Sequence, residues 1–157
     1  MRIGIVSDSH GDLTAIGKAA AAAGPVDLWL HAGDYSRDAS AFAGKSAAKV
    51  IAVAGNCDGR VKDKPDEFIA AGSRKIWLTH GHRYQVKQTN RELIWWARHY
   101  EADVVVFGHT HVPVIEESDG LLVVNPGSVS QPRWGHPTYA VIEIVEDVIS
   151  AAIMELT

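Results

Sequence analysis

The sequence predicts an α/β protein with one mixed sheet, or two sheets, covered by helices. Three observations carry this. Short apolar runs alternate with helical patterns over the first two thirds of the chain, and the remainder reads as β-hairpins. Five successive strands end in polar side chains, as they do where an α/β sheet builds a ligand site at its carboxyl edge.

The elements follow in order. "RIGIVSD" (Arg2 to Asp8) reads as a buried strand. "DLTAIGKAAAAAG" reads as a helix, with Asp12 as its cap and Gly24-Pro25 as its stop. "DLWLHAGD" (Asp27 to Asp34) is a second strand, and the alanine-rich stretch from Ala39 to Ala48 is expected to be helical. "KVIAVAGN" (Lys49 to Asn56) and "RKIWLTH" (Arg74 to His80) are the third and fourth strands. From Thr89 to Tyr100, Leu93, Trp96, Ala97 and Tyr100 recur at helical spacing, so that face packs inward and Trp95 falls outside it. "ADVVVFG" is the fifth strand, "VPVIEE" and "LLVVN" form a hairpin about "SDG", and "PTYAVIEIV" with "VISAAIMEL" forms another.

Composition narrows the class. At 157 residues, 46% hydrophobic and 22% charged, the chain is expected to be one globular domain over residues 1–157. No apolar run approaches the roughly 20 residues that cross a bilayer, and the N-terminus reads as a strand rather than a secretory signal. The formal charge of −4 gives no basic footprint, so nucleic acid is not expected as a stable partner. One cysteine, Cys57, excludes an internal disulfide and fits the cytoplasm.

The strand ends hold the chemistry. They deliver Asp8 and His10, then Asp34, Asn56, His80, and finally His109 and His111. In extended chain, residues i and i+2 point the same way with Cα atoms about 6.6 Å apart, so each two-residue pair would share one pocket. Glycines precede Asp34, Asn56 and His109, where the backbone can turn sharply or pass close to a ligand. Four histidines, two aspartates and an asparagine form a mixed nitrogen and oxygen donor set without sulfur. Such a set suits Mn, Fe, Ni, Co or Zn better than Ca or Mg. Two divalent ions would bring more positive charge than two carboxylates neutralise. The surplus would attract a phosphate and acidify bound water.

These residues resemble a known family. "DSH" at Asp8 to His10, "GD" at Gly33-Asp34, "GN" at Gly55-Asn56, "HG" at His80-Gly81 and "GHTH" at Gly108 to His111 are similar to the motifs of the calcineurin-like metallophosphoesterases. "GNCDG" and "NPGSVSQPR" resemble the small, YfcE-like phosphodiesterase branch. The resemblance implies a four-layer α/β/β/α sandwich of two mixed sheets flanked by helices, the metallo-dependent phosphatase-like fold. It implies two divalent ions, with Mn²⁺ expected first, and hydrolysis of a small phosphodiester or phosphate ester by a metal-bridging hydroxide. By motif, Asp8, His10 and His111 would hold one ion, Asn56, His80 and His109 the other, and Asp34 would bridge. Larger relatives carry "GNH" where this chain has Cys57, and an aspartate where it has Arg37. The proton donor to the leaving group is therefore open, and His82 in "HGH" is the candidate nearest in sequence.

Other residues carry weaker expectations. Asn56, His82 and Arg133 are candidate substrate contacts, Arg133 because a guanidinium can grip a phosphate with two hydrogen bonds. Cys57, Asn125 and Ser128 are candidates to support the ligands from behind. "NPGS" also reads simply as a turn, and Cys57 as a small semi-buried residue. Singly, Asp8 and Asp34 could cap helices and Asn56 could serve a turn; His31 reads as a packed, hydrogen-bonded histidine. Trp95 or Trp134 could mark a leaving-group platform or a contact in a homo-oligomer. The rival reading is a protein-binding scaffold of the same fold, like the small retromer subunit. A metallo-β-lactamase would want HxHxDH, and an amidohydrolase barrel a chain of about 250 residues.

Overall fold

A computed structural model of the protein describes residues 1–42 and 46–157. In chain order the elements are β1 (Arg2–Val6), α1 (Leu13–Ala23), β2 (Leu28–His31), β3 (Lys49–Ala52), β4 (Asp66–Ala71), β5 (Arg74–Thr79), α2 (Arg91–His99), β6 (Val104–Val106), β7 (Pro113–Ser118), β8 (Leu121–Pro126), β9 (Thr138–Val145) and β10 (Val148–Glu155). Two short 3₁₀ helices, Ser36–Phe42 and His82–Tyr84, follow β2 and β5.

The strands form two mixed five-stranded sheets, in the orders β10-β9-β1-β2-β3 and β4-β5-β6-β8-β7. β1, β2 and β3 run parallel, as do β5, β6 and β8. The remaining strands pair antiparallel at the flanks. Alternation along each strand sorts side chains into layers. Ile3, Ile5, Leu28 and Leu30 of one sheet meet Ile76, Leu78, Val104 and Val106 of the other in the central core. The opposite face of the first sheet puts Val6, Trp29 and Tyr139 against Ile16 and Ala19 of α1. The opposite face of the second puts Trp77, Val105 and Val123 against Leu93 and Ala97 of α2. The result is the four-layer α/β/β/α sandwich.

The helices end where the sequence says. The Asp12 carboxylate accepts from the Ala15 N–H at 2.9 Å, capping α1, and Gly24 closes it at φ 67°. Two expectations need correction. The helix expected over Ala39 to Ala48 is replaced before residue 43 by the 3₁₀ segment from Ser36, and residues 43–45 lie outside the described residues. That earlier start has a cause: Asp58 Oδ1 accepts from both the N–H and the hydroxyl of Ser36, at 2.6 and 3.1 Å. Strand β4 went unassigned in the sequence because Asp66–Ala71 is an edge strand with partly exposed, weakly alternating residues.

Candidate metal centre

The first strands stop short of the polar residues they lead to. β1 ends at Val6, and Asp8 and His10 lie in the loop beyond it with positive φ of 53° and 46°. Asp34, His109 and His111 are also left-handed, at 58°, 68° and 58°. The expected extended i, i+2 geometry is therefore absent. The side chains converge because the chain coils tightly after each strand, in a conformation that aspartate, asparagine and histidine adopt more readily than most residues.

Neighbouring loops lock these coils together. The Asp8 N–H donates to the Gly33 carbonyl at 3.0 Å, and the Gly108 N–H to that of His80 at 3.1 Å. Two glycines are required by close approach: a Cβ at Gly55 would collide with Asp34 Oδ1, and one at Gly108 with Ser7 Oγ.

Asp8 is fully buried. Its Oδ2 accepts from the Ser7 hydroxyl at 2.6 Å and the His109 N–H at 3.1 Å. Its Oδ1 has no hydrogen-bond partner. That atom faces His111 Nε2 at 3.2 Å. The Nδ1–H of His111 is committed to the Gln131 carbonyl at 2.6 Å, so a neutral His111 presents a lone pair at Nε2. His10 Nε2 lies 3.4 Å from His111 Nε2 and 3.7 Å from Asp34 Oδ2. One donor atom from each of Asp8, His10, Asp34 and His111 lies within 4.8 Å of the others. An orphaned buried carboxylate oxygen surrounded by inward-facing nitrogens fits a cation between them.

A second group adjoins the first. His80, fully buried, gives its Nδ1–H to the Ala32 carbonyl at 2.7 Å and turns Nε2 toward Asn56 Oδ1 at 3.0 Å and Asp34 Oδ1 at 3.3 Å. The His109 ring centre is 5.1 Å from that of His80. Asp34 thus has one oxygen toward each group, and its Oδ1 also accepts from the Cys57 N–H at 2.9 Å.

The charges follow from these contacts. Burial works against ionised Asp34, but the hydrogen bond and charge of His80 and the Cys57 N–H hold its carboxyl well below the usual range. Burial likewise opposes a charged His80, yet Asp34 and Asp8 raise its pKa above the ordinary value. Asp8 also raises His111, against burial. His109 goes the other way: burial first, then the charges of His80 and Lys87, lower it to about 4.

The remaining candidates fall into place around this centre. The His82 ring lies 5.4 Å from His80 and 6.1 Å from His109, centre to centre, with Nδ1 buried and unpartnered. Burial, then the charges of His80 and Arg83, lower its pKa. Asn125 Nδ2 donates to the Gly108 carbonyl at 2.9 Å and Thr110 Oγ1 at 3.0 Å, and Ser128 Oγ donates to the Asp8 carbonyl at 2.8 Å. Arg133 is exposed, and its N–H donates to the His111 carbonyl at 3.1 Å. Cys57 is exposed rather than semi-buried; its N–H donates to Asp34 Oδ1 and its Sγ accepts from Asn56 Nδ2 at 3.5 Å. Local burial and the Asp34 carboxylate push that thiol up to about 11. His31 is buried against Ser9 Oγ at 2.9 Å and accepts from the Gly33 N–H at Nδ1.

Several supporting groups were missed in the sequence. Asp38 Oδ2 accepts from Ser9 Oγ at 2.8 Å and the Gly11 N–H at 2.7 Å, tying down the Asp8–His10 loop. Asp58 links the Asp34 and Asn56 loops through Ser36 and the Gly55 N–H. The "D" of "GNCDG" was visible, but nothing in its spacing says that it reaches across to Ser36.

Known proteins resemble this chain in sequence and fold. The profile of the calcineurin-like phosphoesterase superfamily domain matches residues 1–147. The probable metallophosphoesterase YsnB of Bacillus subtilis is 38% identical over 151 residues, covering 94% of this chain and 86% of its own. Phosphodiesterase MJ0936 of Methanocaldococcus jannaschii is 34% identical over 163 residues, covering 91% and 93%. Among solved structures, wild-type Vps29 of Entamoeba histolytica complexed with Zn²⁺ superposes over 100% of both chains with a TM-score of 0.75, but at 20% identity it speaks to the fold alone. This chain belongs to the calcineurin-like phosphoesterase superfamily, and its relatives lie in the YfcE-like branch.

Proposed function

We propose that this chain is a dinuclear metal-dependent phosphodiesterase acting on small phosphodiesters. The observation that carries the reading is the buried, unpartnered Asp8 Oδ1 facing His111 Nε2 at 3.2 Å. Asp8, His10 and His111 would hold one ion and Asn56, His80 and His109 the other, with Asp34 between them. Bound there, divalent cations supply Lewis-acid charge to the phosphate oxygens and lower the pKa of water until it can attack at neutral pH. Mn²⁺ fits the nitrogen and oxygen donors, as do Fe²⁺, Co²⁺, Ni²⁺ and Zn²⁺.

The chain's own groups do the rest. Asp34 stays ionised and keeps its charge between the two donor groups. The Ala32 and Gln131 carbonyls fix the tautomers of His80 and His111, so both turn Nε2 inward without searching. His82, whose ring lies 5.4 Å from that of His80 and 6.1 Å from that of His109, would pass a proton from solvent to the departing ester oxygen. Arg133 would offer its guanidinium to the substrate at the rim, and Asn56 would add a polar contact. Asn125 and Ser128 hold the backbone of the ligand loops. The lone thiol agrees with a cytoplasmic setting.

The scaffold reading shares the fold, but it gives no reason for Asp8, His10, Asp34 and His111 to bring donor atoms within 4.8 Å of one another. The test is elemental analysis of protein purified without added metal, then hydrolysis of bis(p-nitrophenyl) phosphate with Mn²⁺ or with chelator. About two equivalents of metal and chelator-sensitive turnover are expected. A chain that takes up no divalent ion, or that turns over equally in chelator, would falsify the reading.

A further inference from the structure

Beside the ligand loops lies a cavity of about 390 Å³, within the range of small-molecule sites. Its floor includes Val86 and Phe107, and its rim carries Lys87, Arg133 and Trp134. Thr110, the residue between His109 and His111, lines it as well. Two ties make it continuous with the metal centre. Val86 and Phe107 each lie 3.2 Å from where a Cβ on Gly81 would stand, between His80 and His82. The Arg133 N–H donates to the His111 carbonyl at 3.1 Å.

The lining is unusual for a surface recess. Trp134 is 74% exposed, an indole left in water at the mouth of an apolar floor. Lys87 and Arg133 make no ion pair with a carboxylate among the described residues. A larger cavity of about 610 Å³ opens beside Ser36 and Arg37, but none of the residues found lining it is aromatic. Of the two exposed tryptophans singled out in the sequence, Trp95 stacks on His99 of its own helix, whereas Trp134 lines this cavity.

We propose that this cavity seats one ester group of the substrate, and that the group it selects is a flat ring carrying an anionic substituent of its own, as in a nucleoside phosphate. A ring would lie on the Trp134 indole and the apolar floor, and the extra anion would meet Lys87 and Arg133. The occupant's being an ester group rests on the phosphodiesterase reading; the ring and charge preference rests on the cavity.

Competitive inhibition of bis(p-nitrophenyl) phosphate hydrolysis by the Mn²⁺-loaded protein tests it. Ribose 5-phosphate, AMP and adenosine 3′,5′-bisphosphate carry the same 5′-phosphate and add first the ring, then the second charge. AMP should inhibit about tenfold more tightly than ribose 5-phosphate, the scale of one aromatic stack. The bisphosphate should gain about fivefold more, the scale of an exposed ion pair. Trp134→Ala should erase the first step, and Lys87→Ala with Arg133→Ala the second. All three substitutions are at surface positions, so misfolding is not expected. Equal inhibition by AMP and ribose 5-phosphate, or steps that survive both variants, overturns the proposal and leaves Trp134 as a contact for another protein. Should the loaded protein show no turnover, calorimetric titration of the metal-free protein with the bisphosphate decides. Binding lost in Trp134→Ala then supports the cavity while the phosphodiesterase reading falls, and no binding overturns both.

Discussion

The two donor groups of the centre share one rim but differ in charge. One gathers Asp8, His10, Asp34 and His111 with a donor atom of each inside 4.8 Å, so two carboxylates face two imidazoles. The other has Asn56, His80 and His109, with Asp34 Oδ1 turned toward His80 Nε2 at 3.3 Å and Asp8 Oδ1 farther off at 3.9 Å. Burial does not separate them: each has one sealed member, Asp8 in the first and His80 in the second, although Asn56 of the second is exposed. Donor number alone would make the two sites equal. Under the proposed dinuclear reading, charge would make the first the stronger cation site and leave the second more dependent on Asp34, so the second should fill later and empty first.

The largest test removes the shared charge. Asp34→Asn should abolish turnover and lower metal content at both positions, whereas His109→Ala should drop the metal count from about two to about one. Turnover should fall by at least about a thousandfold in either case, with circular dichroism unchanged. Elemental analysis separates the two variants; equal metal loss from both would erase the difference in charge drawn here.

A smaller effect comes from protons. His80 and His111 are raised in the free protein and His109 is lowered to about 4. A ligand histidine must be neutral, so acidification below the raised values makes metal compete with protons at His80 and His111 but not at His109. Metal affinity should weaken as pH falls from 8 to 6, by up to about tenfold per unit for each displaced proton. Calorimetry in buffers of different ionisation enthalpy should show greater proton release at pH 6 than at pH 8. A flat profile would mean that the carboxylates do not control these rings.

The smallest expected changes come from groups that never touch the ion. Ser128→Ala removes a hydrogen bond to the Asp8 carbonyl, and Asp58→Asn weakens the link between the Asp34 and Asn56 loops. Each should cost about tenfold in metal affinity. Ser128→Ala should act mainly on the tighter position and Asp58→Asn on the weaker, as a two-step metal titration would read.

Which parts of this were legible in the sequence follows from what sequence can encode. Strand order could not be read, and the residues alone left one sheet or two open; the four layers came from the family resemblance, and in the fold Ile3, Ile5, Leu28 and Leu30 face the central core while Trp29 faces α1. The donors were legible because chemistry restricts them to a few residue types placed after apolar runs. Their orientation was not, since it depends on the carbonyls of Ala32 and Gln131, and any residue has a carbonyl. Asp38 and Asp58 were hidden for a related reason. Each acts on a loop that is distant in the chain but adjacent in space, and an aspartate in a polar stretch looks like any other.

The left-handed backbone at Asp8, His10, Asp34, His109 and His111 has a consequence for how such a protein can change. Each of these residues holds a conformation that costs an L-residue roughly 1 kcal/mol or more, relieved in part for aspartate and histidine and fully for glycine. The folded state therefore carries tension where its donors stand. A search for thermal hardiness without regard to activity would drift toward glycine at these positions and dismantle the centre, so endurance and chemistry pull this chain in opposite directions.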